Sequence, residues 1–113
     1  MSGIEALERR VRLSRLYDLY APLLTERQRR IYELHELEDL SLSEISEELS
    51  ISRQGVSDQL ARVRARLEEI EALLGFAEAF SRIGADAQSI LKGKNITDCA
   101  KRIAAVCGGR NDD

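Results

Sequence analysis

The chain of 113 residues has no tryptophan and a single proline, and with them it lacks most of what builds or punctuates a sheet protein. Pro22 is the one breaker inside otherwise helical patterning, and no run of alternating β-branched and aromatic residues reads as a strand. Leu, Ala, Glu and Arg prevail instead, which predicts an all-α protein. No apolar run approaches the roughly 20 residues a bilayer span needs. The first ten residues place Glu5, Glu8, Arg9 and Arg10 where a secretory signal needs an apolar centre. Together these absences predict a cytoplasmic protein with no membrane insertion.

Histidine and cysteine are scarce as well. His35, the single histidine, lies beside an apolar stripe with nothing nearby in sequence to complete a catalytic triad, so no enzyme is expected. Cys99 and Cys107 fall on one predicted helix, about 12 Å apart along its axis, and cannot bond to each other there. Without a Cys-x-x-Cys pair or a neighbouring His they read as small core residues, and no metal or cofactor is expected. Asn95-Ile96-Thr97 matches a glycosylation acceptor, but Asn95 reads better as a helix cap with Asp98 behind it.

Positive charge is not in surplus. The formal net charge of −3 argues against a protein that coats nucleic acid indiscriminately, and the distribution is more informative than the sum. Between Ile31 and Ser52 stand Glu33, Glu36, Glu38, Asp39, Glu44, Glu47 and Glu48 with no Lys or Arg, whereas Arg53, Arg62, Arg64 and Arg66 dominate the next stretch. Further basic groups are Arg27, Arg29 and Arg30, and Arg9, Arg10, Arg12 and Arg15 on the first predicted helix, where a solvated face is an equally good reading.

What the chain does have is periodicity and caps. A first helix is predicted from about Gly3 to Tyr20, with Ile4, Leu7, Val11, Leu16, Tyr17 and Tyr20 inward and Pro22 ending it. Thr25 with Gln28 forms a capping box for a helix whose stripe is Ile31, Leu34 and Leu37. Ser41 with Glu44 forms another, opening a short helix with Leu42, Ile45 and Leu49 on one face. Ser50 and a buried Ile51 then make the turn, and Ser52 caps a helix packed through Val56, Leu60 and Val63. Two capped helices joined by so short a turn are the pattern of a helix-turn-helix.

The second of these helices does not stop at the motif. Val56, Leu60, Val63, Leu67, Ile70 and Leu74 alternate spacings of four and three as far as Gly75, which predicts a helix of about 22 residues, roughly 33 Å long. Phe76, Phe80, Ile83, Ala87 and Ile90 repeat that spacing, and Ile96, Cys99, Ile103 and Val106 mark a last helix ending at Gly108-Gly109. The expected organisation is a helix-turn-helix domain over 1–75, a C-terminal helical hairpin over 76–109 packed on the long helix, and a frayed tail at 110–113. Because the seams can pair within one chain or between two, a homodimer is expected.

With these residues in view a resemblance can be stated. Leu23 to Gln28, Leu40 to Glu48 and Ile51 to Val56 resemble the C-terminal promoter-reading region of sigma factors. Ile51 to Asp58 more closely resembles the YlxM-like family of helix-turn-helix DNA-binding proteins associated with the signal recognition particle. The likeness covers residues 13 to 76 well and the C-terminal helices in layout only. It implies an all-helical, bacterial regulatory protein, tied to signal-recognition-particle genes mostly through gene neighbourhood. Two departures stand out: Ser50 where glycine is frequent, and Gln59 where an apolar residue is expected, Leu60 taking that role one position later.

Opposite the packed face, the second helix of the motif presents Gln54, Asp58, Ala61 and Ala65, flanked by Ser57 and Arg62. Ser52, Arg53, Gln54, Ser57, Asp58 and Arg62 are the expected DNA-binding residues, since Gln reads adenine, Arg reads guanine and Asp accepts from cytosine. Arg27, Arg30, Arg64 and Arg66 are expected to hold phosphates. DNA is the expected partner ahead of RNA. A ribonucleoprotein-binding or purely protein-binding accessory of the signal recognition particle is the alternative.

Overall fold

In the computed structural model, which describes residues 2–108, six α-helices follow one another with no strand among the described residues. They are α1 (Gly3–Tyr20), α2 (Glu26–Glu36), α3 (Leu42–Leu49), α4 (Arg53–Leu74), α5 (Phe76–Leu91) and α6 (Ile96–Val106), with a 3-10 turn at Ala21–Leu23. Gly109 and the expected frayed tail at 110–113 lie outside the described residues. The chain divides between Leu74 and Gly75 into two units.

Local chemistry sets the ends of the first helices. Ser2 Oγ accepts from the Glu5 N–H at 3.1 Å to open α1, and the 3-10 turn carrying Pro22 follows it. At α2 the Thr25 hydroxyl accepts from Gln28 N–H at 3.1 Å while Gln28 Oε1 accepts from Thr25 N–H at 2.9 Å. The same reciprocal pair, 3.1 Å and 3.0 Å, joins Ser41 and Glu44 at α3. The Ser41 N–H and hydroxyl hold the Glu44 carboxyl below the usual carboxylate range.

In the first unit α4 is the central element, packed by α1, α2 and α3. Val56, Leu60, Val63, Leu67 and Ile70 are all buried, as the four-three spacing requires, and they meet Leu13, Leu16, Tyr17 and Tyr20 of α1, Ile31, Tyr32 and Leu34 of α2 and Ile45 of α3 in one core. Some expectations fail here: Leu74, the last position of the expected α4 seam, is 44% exposed at the end of the helix. Ile4, Leu7 and Val11, expected inward, are 71, 62 and 53% exposed, because the periodic stripe of α1 runs on past the residues its neighbours cover. Leu37 is exposed too, since α2 ends there and the residue leaves the stripe; Tyr32 is buried instead, stacked on Tyr17 with ring centroids 4.4 Å apart.

In the second unit α5 and α6 pack on one another across a turn containing Gly93 at φ 73° and Asn95 at φ 47°. Its buried residues are Ala77, Asp86 and Cys99. Asp86 Oδ1 accepts from Arg102 Nε and Nη2 at 3.1 and 2.9 Å, so the buried carboxylate is paired. Asn95 occupies the cap position without a side-chain hydrogen bond, which corrects its expected capping role. Cys107, Phe76, Phe80, Ile96 and Val106, all expected inward, are exposed, since a pair of packed helices encloses only the residues on their shared face.

Candidate nucleic-acid interface

The junction of α3 and α4 is fixed by four short-range bonds. Ser50 ends α3 in the left-handed region, φ 56° and ψ 43°, with its N–H donating to the Ser46 carbonyl. Ile51 N–H donates to the same carbonyl at 3.2 Å, and the Ser46 hydroxyl donates back to the Ile51 carbonyl. Ser52 Oγ then accepts from Gly55 N–H at 2.9 Å to open α4. Ile51 itself is half-buried rather than buried, while Ile45 and Val56 on either side of the turn are fully enclosed and lock the angle between the helices.

That lock leaves the outer side of α4 in solvent. Ser52, Arg53, Gln54, Ser57, Asp58 and Arg62 are all exposed on one stretch, as their spacing implies. Gln54 Nε2 donates to Asp58 Oδ1 at 2.9 Å, so the carboxylate at the middle of the face also orients the amide at its tip. The residues expected on phosphates separate into three groups. Arg27 donates through Nε to Gln59 Oε1 at 3.3 Å and shares a shallow cleft of about 250 Å³ with Arg62, Thr25 and Gln28. Arg30 and Arg66 are held in exposed ion pairs, with Glu48 at 3.2 Å and Glu69 at 2.9 Å. Such pairs are worth about 0–1 kcal/mol and exchange readily for another anion.

Arg64 stands apart from both groups. It is half-buried and lines a cleft of about 470 Å³ formed by Ala6, Arg9, Arg10 and Leu13 of α1 with Tyr32, His35 and Glu36 of α2. The sequence left open whether Arg9 and Arg10 are a solvated face or a basic patch; both are exposed, and the fold brings them to a cleft shared with Arg64 of α4. Nothing local signals this, because the contact joins segments more than fifty positions apart, as does the neighbouring bidentate pair of Arg12 with Glu68 at 2.9 and 2.7 Å. Arg12 holds the Glu68 carboxyl below the usual carboxylate range. Among the described residues Arg53, Arg62 and Arg64 have no acidic partner within ion-pair distance, whereas His35 and Arg10 both engage Glu36. No group of three metal-ligating side chains occurs among the described residues.

A short capped helix locked through a left-handed turn against a longer helix with a bare polar outer face defines a helix-turn-helix protein. The chain belongs to the family described as "Putative helix-turn-helix protein, YlxM / p13 like", which residues 7–105 match. It is 48% identical over 81 residues to a UPF0122 protein of Thermoanaerobacter sp. (strain X514), covering 72% of this chain and 69% of that one. A UPF0122 protein of Halalkalibacterium halodurans is 43% identical over 76 residues, 67% of this chain and 70% of its own. One from Bacillus cereus (strain AH187) is 46% identical over 74 residues, 66 and 67% of the two chains. These relatives are bacterial, and the family is described as a helix-turn-helix one. No helix among the described residues is long and apolar enough to cross a membrane.

Proposed function

We propose that the protein binds DNA by laying the N-terminal half of α4 in a major groove, and that it acts as a regulatory protein of the signal-recognition-particle pathway. The observation that carries this reading is the exposed row Arg53, Gln54, Ser57, Asp58 and Arg62 on a helix whose opposite face is locked in the core. A helix about 10–12 Å across fits a groove about 12 Å wide. Ser52, Arg53 and Gln54 at the helix start are assigned to the bases, and Arg27, Arg30, Arg64 and Arg66 to the phosphate backbone. The link to the signal recognition particle rests on the family resemblance alone.

Asp58 gives the test its direction. Its carboxylate opposes phosphate, so Asp58→Asn raises affinity for duplex DNA of any sequence if α4 enters a groove. Gln54→Ala costs about 1–3 kcal/mol at a cognate site and little elsewhere. Electrophoretic comparison of fragmented genomic DNA with signal-recognition RNA at two salt concentrations discriminates the ligands. Failure of wild type and Asp58→Asn alike to bind any duplex at low salt overturns the DNA reading and leaves the RNA-binding or protein-binding accessory.

The proposed assembly is a homodimer, supported by the uncovered Ile4, Leu7 and Val11 of α1. Two-fold symmetry sets two reading helices roughly 34 Å, one duplex turn, apart. Sedimentation at micromolar concentration showing only a 12.7 kDa species refutes it.

A further inference from the structure

Arg62 and Arg64 leave α4 only two residues apart, yet about 160° apart around its axis. Each opens into an arginine-lined cleft. On the α2 side Arg62 meets Arg27, with the polar side chains of Thr25, Gln28 and Gln59. On the α1 side Arg64 meets Arg9 in two adjoining hollows, one lined by Tyr32, His35 and Glu36, the other by Leu13, Ala61, Ala65 and Glu68. Ala61 is exposed on the outer face of α4, so Arg9 of α1 stands at the very edge of the proposed reading face.

The charges facing the α1-side cleft favour an anion at one end of it. Arg9 and Arg64 have no acidic group within ion-pair distance among the described residues, although Glu68, which lines the second hollow with both, attracts Arg9. Glu68 is engaged by Arg12 and Glu36 by Arg10 and His35, which leaves Asp39, exposed at the α2 end, as the one acid of the cleft without an ion-pair partner there. A guanidinium with no carboxylate bonded to it, in a hollow whose Glu68 and Glu36 are already held by Arg12, Arg10 and His35, matches phosphate geometrically, since its fork of N–H donors takes two oxygens at once.

We infer that Arg9 and Arg64 form a phosphodiester-binding site on the α1 side of α4, so that with Arg27 and Arg62 opposite, the reading helix carries a two-sided clamp, one jaw for each strand of a duplex. The site rests on the DNA reading above and extends it to α1. A helix in the major groove has a phosphate backbone along both its flanks, and contacts on both fix its roll as well as its depth.

The test measures binding of short duplexes of unrelated sequence against salt concentration for wild type, Arg9→Ala/Arg64→Ala, Arg9→Ala, Arg9→Glu, Arg9→Lys and Arg15→Ala. Loss of two phosphate contacts lowers the slope of log affinity on log salt by about two units, equally for every sequence. Arg9→Glu, a change at an exposed position of the helix, is expected to weaken binding at least as much as Arg9→Ala, and Arg9→Lys to restore part of it. Arg15→Ala removes the same charge from the same helix but faces a different hollow, with Ser14, Asp18 and Leu37, and leaves the slope unchanged. A double variant that keeps the wild-type slope, or an Arg15→Ala slope reduced as far as that of the cleft variants, overturns the clamp while leaving α4 as the reader. Wild type failing to bind any duplex at low salt overturns both.

Discussion

At Ser50 an L residue sits in the left-handed region so that α3 can end and the chain can turn into α4. That conformation costs roughly 1–2 kcal/mol for a residue with a Cβ, and glycine's greater freedom in the unfolded chain returns up to about 1 kcal/mol of the gain from replacing it. Ser50→Gly is therefore expected to stabilise the protein by about 0.5–1 kcal/mol, read as a higher urea midpoint at unchanged m. A second residue-level expectation concerns alkaline pH. Burial, reinforced by the charge of Glu36, pushes the Tyr32 hydroxyl up to about 12; burial and a hydrogen bond to Glu33 push Tyr17 up as well. The folded state thus keeps protons that an unfolded tyrosine gives up near about pH 10. The stability this contributes is complete below that pH and is lost as pH climbs towards 12 for Tyr32. Tyrosinate absorbance from Tyr17 and Tyr32 is expected to appear together with loss of helical dichroism, and ionisation of both near about pH 10 in a chain still fully helical would refute it. The presence of Ser50 in the turn was legible in the sequence; its φ, and the stacking of Tyr17 on Tyr32, were not, since both follow from where α3 and α1 lie.

Helix boundaries were the most legible feature, and the reason is that they are local. Thr25 with Gln28, Ser41 with Glu44, and Ser52 each satisfy orphan N–H groups within three residues, so the sequence pattern and the observed bond are nearly the same statement. The buried stripe of α4 was legible for a related reason: with three helices packed around it, every position from Val56 to Ile70 on the four-three spacing finds a neighbour. Periodicity names the apolar side of a helix but not how far its partners reach, and so Ile4, Leu7 and Val11 were misplaced at one end of the unit and Leu37 at another. The α1 side of the candidate interface was illegible on the same ground, because Arg9 and Arg64 are joined only by tertiary packing. The two sides of α4 predict opposite mutational outcomes. Leu67 is fully buried, and Leu67→Asp sets an unpaired charge in the seam at a cost of more than about 3 kcal/mol. Glu69 is exposed, held only by an ion pair three residues back, and Glu69→Ala is expected to stay within about 0.5 kcal/mol. Denaturant melts of both variants check the contrast; comparable losses would mean that the seam is not the core.

Burial is distributed very unevenly along the whole molecule. Among the described residues the buried apolar ones of the second unit are Ala77 and Cys99, and the others, from Leu13 to Ile70, belong to the first. The second unit sets 16- and 11-residue helices against each other with one ion pair between them among the described residues, buried Asp86 with a largely exposed Arg102, whose net contribution is small. Isolated helices shorter than about 12–15 residues are marginal in water, and a hairpin that encloses so little apolar surface cannot offset the entropy of ordering it. Phe76, Phe80, Ile96 and Val106 remain exposed on it. The first unit, by contrast, encloses Tyr20, Leu16, Ile31, Ile45 and Leu67 almost completely and contains every residue of the proposed reading face and clamp. A fragment of residues 1–74 is accordingly expected to melt cooperatively and to bind duplex DNA with the salt slope of the full chain, while a fragment of residues 75–113 shows little helical dichroism by itself at 25 °C. A fragment 75–113 with its own sharp thermal transition, or a fragment 1–74 that is unfolded, would mean that the core is shared between the units rather than held by the first.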